Sequence, residues 1–180
     1  MTQETIDPAA TLAQWEARAA ELRARMCECG VARPDQVAHL TGLQTLQAML
    51  TGELPFGPIG DTMDFMLAEV EFGHAVFQGR PLRRHYNPLG SVHGGWFATL
   101  LDSAVGCAVH STLPVGRGYT TAELKINIVR PLTDKVPLVR AHGRVIHGGR
   151  RMATADGTLY GPDGKLYAHA STTCFLFDLP

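Results

Sequence analysis

The chain has 180 residues, enough for one domain with a substantial core, and its 45% hydrophobic and 18% charged content excludes a disordered or fibrous chain. Net charge is −1, but residues 1–64 carry four Arg against nine Asp or Glu, while residues 65–180 carry twelve Lys or Arg against eight Asp or Glu. The basic part could attract a phosphorylated ligand, yet it lacks the dense basic run of a nucleic-acid binder, and no apolar run nears the roughly 20 residues that span a bilayer.

Met1–Asp7 is acidic and has no signal-peptide core, so the expected location is cytoplasmic. Asp7-Pro8 is a helix start, an N-cap followed by proline at the first helical position. Leu12, Trp15, Ala19, Leu22 and Met26 then form an apolar stripe, too short for a coiled coil and suited to docking on its own domain. Glu21 and Arg25 can pair at i,i+4. Thr41-x-x-Gln44 is a capping box for a second helix through Leu43, Leu46, Met49 and Leu50, closed by Gly52. Pro55, Pro58 and Gly60 mark a loop. Residues 1–57 thus read as a helical N-terminal extension and 58–180 as the main domain.

From Phe65 the period changes. Phe65–Glu71 and Ala75–Gly79 read as strands joined through Phe72-Gly-His74. A helix over about residues 93–112 follows, then a loop at Pro114–Gly118. Thr120, Ala122, Leu124, Ile126 and Ile128 alternate with Thr121, Glu123, Lys125 and Asn127, which predicts opposite faces of a strand ended by Pro131. Val136–Ile146, Met152–Tyr160 and Leu166–Phe177 add three strands, with turns at Gly148–Arg151 and Gly161–Gly164. The class is α+β: an antiparallel sheet with one long apolar helix against its concave face.

The most informative segment is Asn87-Pro-Leu-Gly-Ser-Val-His93-Gly-Gly-Trp-Phe-Ala-Thr-Leu-Leu-Asp102. Asn87-Pro88 and Gly90 are turn chemistry. Gly94 and Gly95 fall in a helix's first turn, where N–H groups lack partners and the helix dipole favours negative charge. Asp102 lies in the middle of the same apolar helix, a costly place for an unpaired carboxylate. From His93 to Asp102 is roughly 13 Å along the axis and about half a turn around it. One helix cannot aim both at one small group, so a shared site needs a second copy in a two-fold dimer. The plainer alternative is an N-cap histidine, two packing glycines and an aspartate bonded to a hydroxyl.

Asn87-Pro-x-Gly90-x-x-His93-Gly94-Gly95 with Asp102, then Thr120-Thr121-x-x-Leu124-x-Ile126-x-x-x-Arg130-Pro131, Gly149-Arg150 and Ala168-x-Ala170-x-x-Thr173, resemble the PaaI-type acyl-CoA thioesterases of the hotdog-fold superfamily. The resemblance spans about residues 60–178. It implies a five- or six-stranded antiparallel sheet wrapped around a long central helix, dimers joined sheet edge to edge, and often tetramers as dimers of dimers. It further implies Asp102 as the catalytic acid and Gly94 as the backbone donor to the thioester carbonyl from the partner's helix. Asn87 would hold water or the leaving group, His93 would orient the loop or carbonyl, and Thr121 would stand where the family often has Ser. Coenzyme A would be part of the substrate, with no separate cofactor.

On this reading Asp102 acts as general base or as nucleophile, a choice the sequence leaves open. Gly95 belongs to the bare first turn, Trp96 and Phe97 wall the acyl group, and Gly149, Arg150 and Arg151 meet the nucleotide phosphates. A solvated hairpin turn is the other reading of the two arginines; Arg83 and Arg84 are a weaker phosphate pair. The alternative function is a non-catalytic acyl-CoA-binding module. No G-x-S-x-G elbow is present. No metal is expected, since His142 and His147, five apart on a strand, should face opposite sides. His110 reads as a helix-end residue favoured by the dipole. Cys27, Cys29, Cys107 and Cys174 read as reduced thiols, the last two in the core.

Overall fold

Helix α1 (Pro8–Arg25) starts as its sequence dictates: the Asp7 carboxylate accepts the Ala9 N–H at 3.0 Å and Pro8 occupies the first position. The computed structural model describes residues 7–179; Met1–Ile6, used above to argue against a signal peptide, lie outside the described residues. Trp15, Ala19 and Leu22 form the buried stripe, and Glu21 pairs with Arg18 and Arg25 on the outer side. After a short α2 (Pro34–Val37), the Thr41–Gln44 capping box opens α3 (Gly42–Thr51), which closes on left-handed Gly52. Where Pro58 and Gly60 suggest only a loop, α4 (Pro58–Met63) forms, because proline at the first helical position starts a helix as readily as it ends one.

β1 (Phe65–Glu71) and β2 (His74–Gly79) make the expected hairpin. A 3₁₀ turn (Arg83–His85) leads to the long apolar α5 (Gly94–His110). Then come β3 (Arg117–Ile128), β4 (Val139–Gly148), β5 (Met152–Tyr160) and β6 (Leu166–Asp178). All pairs are antiparallel in one sheet of order β1-β2-β4-β5-β6-β3. Along α5, Trp96, Phe97, Leu100, Leu101, Ala104, Val105, Ala108 and Val109 are buried against the sheet. Each such side chain contributes about 1.5–3 kcal/mol of burial for the larger types. Gly143 on β4 permits the close approach: a Cβ there would stand 2.2 Å from the Ala104 carbonyl oxygen. No helix of the described residues is long and apolar enough to cross a membrane.

Two bulges revise the strand reading. Thr121 pairs with Cys174 and Glu123 with Thr173, so Ala122 is the extra residue. The alternation changes phase there. Tyr119 and Thr121 turn toward α5, as do Leu124 and Ile126 beyond the bulge, so Thr121 does not face away from Leu124. On β4 the register skips Ile146, so His142 lies opposite Thr158 and His147 opposite Thr154. Those threonines share a face of β5, about 13 Å apart. The two histidines therefore point the same way, not to opposite sides, and are too distant to share an ion.

The helical segment docks on the β1 edge. Ala19 and Leu22 pack on Met66 and Ala68, joined by Met26 and Leu50. The Arg140 guanidinium stacks 4.8 Å over the Trp15 ring while bonding Glu69 at 2.6 Å and Gln78 at 2.9 Å. The start of α3 is pinned to the end of α5: the Gly42 N–H donates to the Leu113 carbonyl at 3.0 Å.

Candidate active site

Asp102, Ser103, Cys107 and His110 fall at helical spacing beside the fully buried stripe of α5, all four half-buried, with Cys107 still packed on the edge of the core. Asp102 is half-buried, and the Thr121 hydroxyl donates to its Oδ1 at 3.0 Å. The β3 bulge makes that contact possible. Tyr119, two residues earlier, lays its ring over Gly106 and beside His110 at 5.5 Å. Burial pushes the Cys107 thiol up to about 12 and raises the Tyr119 hydroxyl well above its usual range, so both stay protonated. His110 closes α5 as expected, but burial lowers its pKa, so it is neutral at pH 7 and faces the cavity without supplying a charge to the helix dipole. Asp102 is the sole carboxyl on this cavity of about 420 Å³ among the described residues.

The start of α5 presents a second arrangement. Gly90 takes φ 84° to close the Asn87–Gly90 turn, a backbone angle that strains other residues. Asn87 Oδ1 accepts from the N–H groups of Leu89 (2.9 Å) and Ser91 (3.3 Å), and its amide donates to Ser91 Oγ. His93 Nδ1 accepts the Gly95 N–H at 2.9 Å, and the His93 carbonyl accepts the Trp96 N–H at 2.9 Å. The Gly94 N–H alone in this first turn has no partner among the described residues. It borders a cleft with Asn87, Phe97, Ile128 and Pro131.

The structure thus brings Asp102 to Thr121, and Asn87 to Gly94 beside the capping His93. It does not join the two groups within one chain: Gly94 and Asp102 are eight residues apart, about 12 Å along α5, and line different cavities. Gly95 is present at the helix start, but its N–H is taken by His93. Trp96 does not wall the Asp102 cavity, because its ring is buried in the core, stacked on His85 at 5.6 Å with its N–H on the Met63 carbonyl. Phe97 borders the Gly94 cleft instead. Gly149 and Arg150 line a third cleft at the far end of α5 with Arg117, whose guanidinium bonds the Arg150 carbonyl and pairs with Asp178 at 2.9 Å; Arg151 is exposed beside them. Arg83 and Arg84 make surface pairs with Asp134 and Asp64. Sequence reasoning passed over Ser103, Cys107 and Tyr119 as site residues. Ser103 and Cys107 were signalled by a polar stripe on one side of an apolar helix, whereas Tyr119 lies on β3 and comes to α5 only through the tertiary fold.

A profile of the thioesterase superfamily matches residues 89–168, a stretch that begins after α4. Among solved structures, the chain is 30% identical to a phenylacetic acid degradation-related protein of Ralstonia eutropha JMP134 described as a candidate thioesterase. The match covers 72% of this chain and 98% of that one, with a TM-score of 0.66. It is 26% identical to a mutant of the phenylacetic acid degradation protein PaaI from Thermus thermophilus, over 66% of this chain and 97% of that one (TM-score 0.59). It is also 26% identical to smu.793 of Streptococcus mutans UA159, a structure bound to acetyl CoA, over 64% of this chain and 90% of that one (TM-score 0.58). No curated protein matches the chain.

Proposed function

We propose an acyl-CoA substrate for this chain, which belongs to the thioesterase superfamily and, within it, to the PaaI-type hotdog thioester hydrolases. The observation that carries the reading is the separation just described. A carboxylate held by a hydroxyl faces one cavity, and an unpartnered helix-start N–H faces another. A two-fold dimer completes both. β3 is the free edge of the sheet, twelve residues long, with Thr121 toward one end and Ile128, beside Gly94, at the other. Antiparallel β3–β3 pairing about a point near Leu124 places Asp102 of one protomer near Gly94 of its partner. Exposed Ile128 and Val129 support burial at that edge. Further pairing of such dimers into a tetramer belongs to the same proposal.

In the reaction the thioester carbonyl oxygen sits at the partner's Gly94 N–H, where the helix dipole stabilises the oxyanion as it forms. Thr121 occupies Oδ1 of Asp102, leaving Oδ2 to take a proton from the attacking water or to attack the carbonyl carbon itself. When water attacks, the tetrahedral intermediate expels the CoA thiolate, which takes back the proton held by Asp102, giving free acid and CoA. When Asp102 attacks, expulsion of the thiolate leaves an acyl-Asp102 anhydride, and water then hydrolyses it to free acid and the carboxylate, one proton from that water going to the thiolate. Asn87, fixed by its own turn, orients the water or the leaving group, and His93 holds the donor loop through its cap. Arg150 and Arg117, which line one cleft with Gly149, and exposed Arg151 beside it meet the nucleotide phosphates. Phe97 and Gly95 shape the entrance, and Trp96 supports it from the core. Free Cys27 and Cys29 suit a reducing, cytoplasmic setting.

Thiol release from a panel of aromatic, short and medium-chain acyl-CoAs tests this. Asp102→Asn and Asp102→Ala should lose about 10²–10⁴-fold in rate with unchanged circular dichroism. A folded Asp102→Ala enzyme at the wild-type rate would reduce Asp102 to a structural role. Acyl-CoA-induced thermal stabilisation with no thiol released from any substrate would make the protein a binding module.

A further inference from the structure

The helices ahead of β1 do more than dock. Leu46, Met49 and Leu50 of α3, at i, i+3, i+4 spacing, and Met26 at the end of α1 turn apolar side chains into the cavity whose opposite wall carries Asp102. The sheet covers the other side of α5, and this roof, together with Phe56 and Ile59 around the start of α4, closes the Asp102 side toward β1. It is held firmly. The capping box fixes the first turn of α3, and a Cβ on Gly42 would stand 1.8 Å from the His110 carbonyl oxygen, so helix and helix touch backbone to backbone. The polar groups of the cavity all lie on the α5 and β3 side, where burial keeps Cys107, His110 and Tyr119 uncharged. The walls built by α1, α3 and β1 are apolar. A space with a carboxylate at one wall and hydrocarbon elsewhere fits a hydrocarbon tail whose reacting end is at Asp102.

Resting on the thioesterase reading above, we propose that α1 and α3 form an acyl pocket over Asp102 and make it selective for a linear, medium-chain acyl group. At about 420 Å³ the cavity lies within the usual size range of small-molecule pockets, and its apolar walls suit an extended hydrocarbon chain longer than a butyryl group. Met49 and Leu50 set the depth, because they are half-buried at the roof and a larger side chain there grows into the cavity.

The test measures kcat/KM for butyryl-, octanoyl-, decanoyl- and phenylacetyl-CoA in the full-length protein, in Met49→Trp and, should that variant fold poorly, in Leu50→Phe. One misplaced methylene in an apolar pocket is worth about 10–200-fold, so the decanoyl-to-butyryl ratio should fall about tenfold or more in either folded variant. Calorimetric binding of the same acyl-CoAs to Asp102→Asn reads the pocket without turnover: decanoyl-CoA should bind at least about tenfold tighter than butyryl-CoA, and adding Met49→Trp should remove the difference. A wild-type protein that hydrolyses none of the panel would defeat the thioesterase reading, while length-dependent binding still decided the pocket. Turnover with an unmoved ratio in both folded variants, or binding indifferent to chain length, would overturn the pocket alone. A wild-type preference for phenylacetyl-CoA over decanoyl-CoA would assign the cavity to a ring and overturn the linear chain.

Discussion

Replacing Gly94 with proline isolates the proposed oxyanion donor with little damage to the fold. Gly94 is the first helical residue of α5, a position where proline is well tolerated and its missing N–H costs no intrahelical bond. His93, with φ −64° and ψ 139°, already has the extended backbone required before proline. The added Cβ would meet only the tip of Ile128, at 3.3 Å. The change therefore removes one N–H, the one left unpartnered, and should lower kcat by about 10²–10³-fold, the usual effect of losing an oxyanion donor. The decisive assay combines it with Asp102→Asn. If each site draws Asp102 from one protomer and Gly94 from the other, a hybrid dimer of the two single mutants holds one doubly defective site and one intact site. Co-expression with two affinity tags, followed by tandem purification, should give a hybrid with about half the wild-type activity from two nearly inactive parents. A hybrid as inactive as its parents, with the mixed dimer verified by mass, would refute the shared site. A Gly94→Pro enzyme at full rate would refute the donor.

Thr121→Val should lower kcat about 10–100-fold with KM little changed, because the lost bond is to a charged acceptor, and Thr121→Ser should recover most of the rate; loss of KM alone would contradict a positioning role. Gly143→Ala should destabilise the fold by about 3 kcal/mol or more in urea titration, since its Cβ cannot stand 2.2 Å from the Ala104 carbonyl oxygen without moving α5 off the sheet. Burial lowers the His110 pKa below its unfolded value near 6.5, so the unfolded chain binds the proton more readily. Stability should be fully retained above that value and fall as pH drops from about 6.5 toward the folded pKa. His110→Gln should reduce the slope of that part of a melting-temperature profile, the remainder being carried by His85 and His142, which burial lowers in the same direction; an unchanged slope would show that His110 contributes none of it.

Much of this molecule is written in short-range chemistry. Asp7-Pro8, the Thr41–Gln44 box, the Phe72–Gly73 turn and the Asn87–Gly90 turn all form as their residues dictate, because each is closed by hydrogen bonds within a few positions. The family motif and the odd carboxylate at Asp102 are legible for the same reason, as is the distance along one helix between Asp102 and the glycines of its first turn. Tertiary structure decided what local pattern leaves open. Strict alternation sets Thr121 away from Leu124, but pairing with β6 forces a bulge at Ala122 that returns Thr121 to Asp102, and register is a property of two strands, not one. Trp96 is equally apolar in a pocket wall or a core, and only the packing of His85 and Met63 around it selects the core. The α3 stripe announces a buried face without saying what it covers. Its place above Asp102 follows from contacts between residues more than fifty positions apart, which sequence periodicity, a property of neighbours, cannot encode.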